Sequence, residues 1–283
     1  MAEAAALRPG EREIAFSPAD FQRVRAMIRA RAGIDLHPGK QNMVYSRLAR
    51  RLRDRGHATF TAYLDSLRGD HDPEWQEFIN CLTTNLTSFF REPHHFEHLA
   101  RHLKSLPAAG GAVRIWSCAA STGEEPYSIA MTALECAGSA PRVTIDASDI
   151  DTRVLGVARD GVYPLDTVAG VGEARLRRFF LKGSGANAGK ARAKPELQAL
   201  LSFRPLNLLT PQWQAPSPYD VIFCRNVMIY FDRPTQRQVL ERLCGSLKPG
   251  GILYVGHSEN FTEHRDLVEL VGKTTYRRIG GAA

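Results

Sequence analysis

Residues 113–130 read VRIWSCAASTGEEPYSIA, and the elements on either side can be interpreted from them. The apolar start predicts a short buried strand, Val113–Trp116, and small or polar residues follow it up to a single glycine. Glu124, Glu125 and Pro126 predict the first turn of a helix, where a proline lacks only an N–H that would have no partner. Acidic side chains suit this turn because they face the positive end of the helix dipole. This strand–turn–helix unit is typical of a nucleotide-like cofactor site in an α/β sheet.

The turn lacks the patterns of two common phosphate-binding loops. It has one glycine instead of G-x-G-x-x-G, and no Gly-Lys-Ser/Thr follows it. A carboxylate pair at its mouth would repel a pyrophosphate and would favour a cation, a ribose or an amino group. S-adenosylmethionine carries a sulfonium, an amino group and a ribose but no phosphate, so it suits this pattern. A plain strand–helix junction with a charged cap is the alternative interpretation.

The composition allows one large or two modest domains. The chain has 283 residues, 43% of them hydrophobic, and a net charge of +7 that makes acidic partners plausible. It opens without a signal pattern, and no apolar run approaches the length of a membrane span. We therefore expect a cytoplasmic protein without membrane insertion. The five cysteines are scattered without a C-x-x-C pair, which argues for reduced thiols and against zinc.

The first 80 residues predict a helical bundle without strands. Helices are expected after the capping residue Ser17, over 40–55, over 60–67 and from Asp72 onward. The second helix is rich in arginine; a solvated face is the usual fate of such a run, but this density favours an acidic partner. No aromatic residues interleave with these arginines for base stacking, so a protein is favoured over single-stranded nucleic acid. The arginines are Arg47, Arg50, Arg51, Arg53 and Arg55.

Residues 81–110 are expected to connect this bundle to the larger domain. The stretch 83–91, TTNLTSFFR, is more apolar than an ordinary linker, so it is expected to pack on that domain and to offer polar groups to its cleft. A helix follows Pro93 and carries three imidazoles on one face, His95, His98 and His102. They could bind a metal ion, but the pattern supplies no further ligands. We therefore expect an exposed helix surface and no metal site.

From residue 111 onward strands and helices alternate, which predicts an α/β fold with a mainly parallel sheet. The strand over 142–149 ends in Asp149, placed to accept two hydrogen bonds from a ribose diol. Asp151 suits the cap of the next helix better. Residues 163–199 interrupt the alternation, and we interpret them as an inserted subdomain with a helix and a glycine-rich turn or hairpin.

The strand over 219–224 is the most apolar of the sheet and is expected to be central. It delivers Arg225, Asn226 and Tyr230 to the carboxyl ends of the strands, where ligands bind in such sheets. The strand over 201–205 similarly leads to Asn207 and Leu208.

The last part of the chain predicts a helix over 235–247, a Pro-Gly-Gly turn and a strand over 252–255 that ends in the tetrapeptide GHSE. This tetrapeptide resembles a nucleophile elbow, but Asn260 follows in place of the final glycine, so a hydrolase is disfavoured. A last strand over 273–279 is expected outside the main pattern.

Six motifs in order along nearly the whole chain resemble the chemotaxis-receptor glutamate methyltransferases, the CheR family. They are TTNLTSFFRE, WS-x-AASTGEEPYSIA, ASDID, NLL, FCRNVMIYFD and LKPGG-x-L-x-x-GHSEN. Cys118 departs from the expected alanine, one small residue for another. The resemblance implies a Rossmann-like methyltransferase sheet that binds S-adenosylmethionine, preceded by a helical bundle. It also implies methyl transfer to glutamate side chains on the cytoplasmic helices of membrane chemoreceptors, in chemotaxis adaptation.

The resemblance also implies roles for single residues. Arg91 and Tyr230 would lie beside the transferring methyl group. The arginine-rich helix would face the acidic receptor helices, and Gly183 and Gly185 lie where some members dock a receptor's C-terminal pentapeptide as an extra strand. The implied cofactor contacts are Asn85, Thr87, Arg91, Glu125, Asp149, Asn207, Leu208, Arg225 and Asn226.

The acceptor chemistry needs little proton transfer. A glutamate side chain has an unperturbed pKa of about 4.3, so it is already a carboxylate at neutral pH and no His–carboxylate pair is expected. Two alternatives stay open. A nucleic-acid methyltransferase would share the sheet, but the chain lacks the Asn/Asp-Pro-Pro-Tyr/Phe motif for a flipped-out amine. A non-enzymatic adaptor would have lost the polar residues at the strand ends, which this chain keeps.

Overall fold

The computed structural model describes residues 14–69, 71–106, 111–137, 142–211, 213 and 218–280. The chain divides into two compact units, residues 1–84 and 85–283, so the stretch 85–106 belongs to the second. Among the described residues, no helix combines the length and the hydropathy that crossing a bilayer requires.

The first unit is helical throughout its described part, as the sequence predicts. It contains α1 (Pro18–Ala32), α2 (Gln41–Asp54), α3 (Phe60–Ser66) and α4 (Glu74–Leu82). Helix α1 begins at a capping box in which Ser17 and Asp20 each bond the other's backbone N–H, and it ends at Gly33 in the left-handed conformation. Val44 of α2 and Phe78 of α4 are fully buried in the core of this unit.

The second unit is built on a seven-stranded sheet. Its strands are β1 (Val113–Ser117), β2 (Val143–Asp149), β6 (Leu201–Pro205), β7 (Tyr219–Cys224), β8 (Leu247–Val255), β9 (Val268–Gly272) and β10 (Thr275–Arg278). The order is β6-β2-β1-β7-β8-β10-β9, so β7 is central, as predicted. Neighbours from β6 to β8 are parallel, and β10 is antiparallel to both β8 and β9. The last strand, β10, was predicted from the sequence, but β9 was not.

Helices cover both faces of this sheet, because successive strand residues point to opposite sides. The helices outside the insertion are α5 (His94–Ser105), α6 (Glu124–Ala137), α7 (Thr152–Asp160) and α11 (Arg233–Ser246). Val221 and Phe223 of β7 pack in one core with residues of α5 and α6. Ile222, between them, packs in the other core with residues of α11.

Strand β8 begins earlier than predicted. Leu247 already pairs with Tyr219, and the register shifts before the pairing resumes at Val221. The Pro-Gly-Gly sequence therefore lies inside the strand at an irregularity, not in a turn before it, with Gly250 at a φ of 75°. Bulges accommodate proline and glycine where a regular strand does not.

The predicted inserted subdomain is present. It holds a second, antiparallel sheet of β3 (Val162–Pro164), β4 (Phe180–Lys182) and β5 (Lys190–Ala193), with the short helices α8 (Leu165–Val168), α9 (Glu173–Phe179) and α10 (Pro195–Gln198). Strand β5 is the middle strand, so β3 and β4 form the edges. Tyr163, Phe179 and Phe180 are buried in the same core as the α5–α6 face of the main sheet.

Candidate active site

The turn after β1 is closed by neighbours that leave no room for larger residues. Gly123 donates its N–H to the carbonyl of Ala120 at 2.9 Å and has a φ of 101°. A Cβ at this glycine would lie 2.7 Å from the hydroxyl of Tyr163, which itself donates to the Thr122 carbonyl. Ser121 adopts a positive φ of 49°. The small residues of the turn therefore serve a close approach of backbone and subdomain.

Asp149 ends β2 beside this turn. Its Oδ2 accepts the N–H of Ser121 at 2.8 Å and its Oδ1 accepts that of Asp151 at 2.9 Å. Burial raises the pKa of Asp149 to about 6. Backbone donors therefore hold this carboxylate in place at the end of β2.

Asp151 caps α7, as the sequence suggests. Its side chain accepts the backbone N–H groups of Arg153 and Val154. It also accepts the side-chain amide of Asn85 at 2.8 Å, and the Asn85 carbonyl accepts the Ser121 hydroxyl at 3.0 Å. These bonds bring Asn85 to the Asp149 side of the cleft.

The two acidic residues that open α6 do not form the open carboxylate pair that we expected at the mouth. Glu125 accepts the Ser117 hydroxyl at 2.7 Å and forms an ion pair with Arg225 at 2.9 Å. Glu124 is buried and accepts the Thr122 hydroxyl at 2.6 Å, and burial raises its pKa. The expectation is wrong because the Arg225 guanidinium compensates the charge of Glu125, and this partner lies too far along the chain for a local pattern to reveal it.

Arg225 follows β7 and joins several predicted site residues. Its side chain is only 2% exposed. Nη1 bonds Glu125, and Nη2 donates to the carbonyl of Arg91 at 2.5 Å and lies 3.5 Å from Glu92. Its Nε is buried and has no hydrogen-bond partner among the described residues. The guanidinium thus connects the Arg91 segment, α6 and the end of β7.

Glu92 forms a carboxylate–imidazole pair that the sequence analysis did not expect. Its Oε1 accepts the backbone N–H of His257 at 3.3 Å and lies 3.2 Å from the imidazole Nδ1. Burial would raise the pKa of Glu92, but Arg225 and the bonds from His257 hold it below its usual range. The two residues are 165 positions apart, so no local motif announces the pair.

The imidazoles of α5 are not on an exposed face, which corrects another expectation. His95 is fully buried, with Nε2 2.8 Å from the Thr274 hydroxyl, and His98 Nδ1 lies 2.8 Å from the Tyr254 hydroxyl. Burial, reinforced by Arg225, lowers the pKa of His95 to about 3, so this ring is neutral. The imidazoles of His95 and His98 do share one face of α5, as predicted, but that face packs against β8 and the β9–β10 turn.

Glu92, His94 and His95 bring three potential metal ligands within 4.8 Å of one another. A guanidinium nitrogen of Arg225 lies 3.5 Å from Glu92 Oε2. Burial and the positive charge of Lys273 lower the pKa of His94, which reports an environment unfavourable to added positive charge. The cluster is therefore a poor cation site despite its residue types.

Asn226 follows Arg225 with a positive φ of 57°. The carboxylate of Glu259 accepts its N–H at 3.0 Å. This role of Glu259 was not predicted from the sequence, where the GHSE segment resembled a nucleophile elbow and formed part of a family motif. Tyr230 lies at the end of a short 3-10 turn in the same loop and is half-buried.

The remaining predicted contacts are spread along the same edge. The N–H of Leu206 bonds the Asp149 carbonyl at 2.9 Å, which places Asn207 beside the end of β2. Asn207 accepts the N–H of Leu209, and Leu208 is buried in the core on the α11 side. Thr87 is half-buried, and its side chain makes no hydrogen bond recorded among the described residues.

The five arginines near the end of α2 do not form one face. Arg47 donates to the carbonyl of Thr83 at 2.6 Å, and Arg51 bonds both oxygens of the buried Glu74 at 2.6 and 2.5 Å. Arg50 is exposed. Arg53 is half-buried, and Arg55 is exposed with its Nε 3.5 Å from Glu74. Part of this charge therefore stabilises the bundle.

The charged groups at the sheet edge suit a cationic, phosphate-free ligand. The carboxylates described there, Asp149, Asp151, Glu92, Glu124, Glu125 and Glu259, outnumber the guanidinium groups of Arg91 and Arg225. Such a surplus attracts a sulfonium or ammonium group and repels a pyrophosphate. The orphaned Nε–H of Arg225 is a further donor at this place.

Comparison with known proteins identifies the family. Two family models match: "CheR methyltransferase, all-alpha domain" over residues 19–83 and "CheR methyltransferase, SAM binding domain" over 85–277. The "Chemotaxis protein methyltransferase" of Escherichia coli (strain K12) is 50% identical over 265 residues, covering 93% of this chain and 92% of that protein. The "Chemotaxis protein methyltransferase 2" of Pseudomonas aeruginosa is 51% identical over 269 residues, covering 94% and 95%.

A solved structure of the N-methyltransferase NodS from Bradyrhizobium japonicum, with S-adenosyl-L-homocysteine, is similar at a TM-score of 0.38 and 16% identity. It covers 66% of this chain and 87% of that one. The SAM-binding family model matches residues 85–277 of the unit 85–283, which holds Asp149, Glu125 and Arg225. With both domains matched and relatives about half identical over almost their full length, the chain belongs to the CheR methyltransferase family.

Proposed function

We propose that this methyltransferase uses S-adenosylmethionine to form methyl esters on glutamate side chains in the cytoplasmic domains of methyl-accepting chemoreceptors. The names of the relatives support a substrate in chemotaxis. One structural observation supports a carboxylate acceptor: the Arg91 guanidinium makes no ion pair among the described residues, whereas that of Arg225 is paired with Glu125 and Glu92.

Arg91 is half-buried, and its Nη1 donates to the Leu86 carbonyl at 2.8 Å. This is the one hydrogen bond that the described residues give to its guanidinium. Its own carbonyl is held by Arg225, which fixes the segment to the cleft. Arg91 therefore keeps donors for an anionic acceptor, and a planar guanidinium can bind a carboxylate through two parallel bonds.

The residues around Asp149 suit the nucleoside part of the cofactor. Asp149, at the carboxyl end of β2, would accept the ribose hydroxyls. Asn85, Asn207 and Asn226 would supply amide donors and acceptors nearby. When bound, the cofactor supplies a methyl group attached to a positively charged sulfur.

The protein's task in this reaction is alignment. The acceptor oxygen is already anionic at neutral pH, so neither Glu92 nor His257 is needed to remove a proton. Arg91 would hold the carboxylate in line with the methyl carbon, and Tyr230 would pack or donate beside it. Such orientation contributes roughly 7 to 11 kcal/mol in favourable cases.

Two surfaces are candidates for receptor binding. On α2, the exposed Arg50 and Arg55 suit acidic receptor helices, whereas Arg47 and Arg51 are engaged within the bundle. In the inserted subdomain, β4 is an edge strand with its Leu181 side chain exposed, and an extended pentapeptide could pair with such an edge.

The glycines after β4 serve the turn itself. A Cβ at Gly183 would lie 2.0 Å from the Asn187 carbonyl oxygen, and Gly185 has a φ of 56°. We propose that they shape the docking edge and do not contact the receptor through side-chain chemistry.

The test is transfer of tritiated methyl from S-adenosylmethionine to receptor cytoplasmic fragments, with base lability of the product identifying an ester. We expect Arg91→Ala to lower kcat/KM about 100-fold, the usual effect of removing one positioned donor. Arg265→Ala, at an exposed position, is the matched control and should keep wild-type activity. Unchanged transfer by Arg91→Ala would contradict the role of Arg91.

The same assay separates the competing substrate class. If the wild type labelled RNA or DNA and bound it with a strong salt dependence, while receptor fragments stayed unlabelled, a nucleic-acid methyltransferase would replace this proposal.

A further inference from the structure

Glu259 is a buried carboxylate that accepts four backbone N–H groups. It follows β8, and its residue is 5% exposed. Its Oε2 accepts from Asn226 at 3.0 Å and from Gly256 at 2.5 Å. Its Oε1 accepts from Val227 at 2.9 Å and from Met228 at 2.7 Å. Both oxygens are therefore filled by donors from the loops that follow two neighbouring parallel strands.

Burial of a carboxylate is unfavourable unless hydrogen bonds replace its hydration. Burial raises the pKa of Glu259, and the four N–H groups act in the opposite direction. An exposed carboxylate or a buried apolar side chain at this position would avoid the free-energy cost of burying a carboxylate. The position suggests that this acceptor is needed by the loop it binds.

The loop 226–228 needs such an acceptor because of its backbone. Asn226 has a φ of 57°, a conformation that L-residues adopt rarely. Three consecutive N–H groups then point to one side, an arrangement that favours a bound anion. Glu259 is the anion in this protein. Without it, these donors would be buried without partners and the loop would have reason to relax.

The same segment also sets the Asn226 side chain. A Cβ at Gly256 would lie 2.3 Å from the Asn226 Nδ2, so the glycine backbone is packed directly against this amide. The Glu259 carboxylate therefore fixes the backbone of Asn226. Gly256, three positions before Glu259, limits where the Asn226 side chain can lie.

We propose that Glu259 is a positioning residue, which holds the Asn226–Met228 backbone in the conformation that binds the cofactor. The inference rests on the proposed function, in which Asn226 contacts S-adenosylmethionine. Glu259 itself touches neither the cofactor nor the acceptor in this account. It acts through the loop.

The test compares two variants of the full chain, each with one substitution in the second unit. Glu259→Gln keeps the size of the side chain but turns an NH₂ group towards two of the N–H donors. Leu243→Ala removes buried apolar volume from α11, away from the loop. Binding of S-adenosylhomocysteine is measured by calorimetry at 10 °C, well below the unfolding midpoint of each. We expect Glu259→Gln to weaken binding at least tenfold and Leu243→Ala to keep wild-type affinity.

Equal affinities for the two variants would overturn the inference, whether both are retained or both are lost. Hydrogen exchange adds a direct readout: the amides of 226–228 should lose protection in Glu259→Gln and keep it in Leu243→Ala. Retained protection would also overturn it. If Glu259→Gln does not fold, Glu259→Asp replaces it, because the shorter carboxylate should lose some of the four N–H bonds. Wild-type affinity and protection of 226–228 in that variant would overturn the inference.

Failure of the proposed function would look different. A wild-type protein that binds neither S-adenosylmethionine nor S-adenosylhomocysteine would refute the function, whatever the variants do. A wild type that binds and a Glu259→Gln variant that binds equally well would refute the positioning role alone.

Discussion

Each unit of the chain contains a buried carboxylate paired with arginine, and the two networks differ in completeness. In the bundle, Glu74 accepts both Arg51 bonds and the Tyr63 hydroxyl at 3.0 Å, so both oxygens are satisfied. In the second unit, Arg225 keeps a buried Nε without a partner, and Glu92 keeps a buried Oε2 without one, among the described residues.

Backbone strain follows the same division. Five non-glycine residues in the described chain have a positive φ, and all lie in the second unit: Phe90, Glu92, Ser121, Asn226 and Thr274. Such conformations persist where the surrounding structure enforces them, and they concentrate at functional sites. The comparison teaches that a buried ion pair alone does not mark a site. Enforced backbone beside it does.

The largest effect should come from breaking the incomplete network. Arg225→Met would leave Glu125 and Glu92 as buried carboxylates without their counter-charge, which destabilises a fold by about 3–5 kcal/mol. We expect that loss in urea unfolding, together with loss of cofactor binding in calorimetry. Arg237→Ala, which breaks an exposed pair with Asp266, should change neither. An Arg225→Met variant as stable as the wild type would mean that other groups compensate the charges of Glu125 and Glu92.

Breaking the complete network should affect stability alone. Arg51→Ala leaves Glu74, which is 6% exposed, without its bidentate partner, and we expect a loss of about 3 kcal/mol. Cofactor affinity should stay at the wild-type value. Arg50→Ala, on the exposed side of the same helix, should change stability by less than about 0.5 kcal/mol and should lower receptor methylation.

Urea unfolding, calorimetry and the methylation assay separate these outcomes. Equal loss of methylation and stability in Arg50→Ala would assign that arginine to the bundle. Loss of cofactor affinity in Arg51→Ala would remove the contrast between the networks.

The smallest effect is a pH dependence at Asp149. Burial raises its pKa to about 6, so the free folded protein holds this proton more tightly than the unfolded chain does. This group's contribution to stability therefore falls as pH rises from about 4 to 6. Ribose hydroxyls donate to the ionised form, so cofactor affinity should rise about tenfold from pH 5 to 7 and then level off.

Calorimetry across this range checks the prediction. Asp149→Asn should bind more weakly and without the pH dependence. Glu124→Gln should keep it, because that carboxyl group faces Thr122 and not the ribose in our proposal. An affinity that does not change between pH 5 and 7 would argue against the ribose role.

Much of the fold could be predicted because its signals are local. The run at 219–224 is apolar enough to indicate a central strand, and Ser17 and Asp151 are recognisable helix caps. Strand β9 was missed because it is a partly exposed edge strand, with Leu270 about half exposed, and lacks a clear apolar alternation. The family and the residue types along the sheet edge could also be predicted, because the motifs are long.

The pairing of charges could not be predicted. Glu124 and Glu125 look alike in the sequence, yet only one of them meets Arg225, which lies 100 positions further along. Helical spacing placed His95 and His98 on one face, but spacing carries no information about what packs against that face.

Local pattern was thus sufficient for most helices and strands, because propensity, capping and apolar periodicity act between near neighbours. The long motifs were sufficient for the family and its cofactor class. Which carboxylate is neutralised, which imidazole is buried and which acid holds the loop after β7 emerged from the folded chain. These properties depend on partners 31 to 179 positions apart, such as Met228 with Glu259 and His95 with Thr274. Their energies are set by the low dielectric that the fold itself creates.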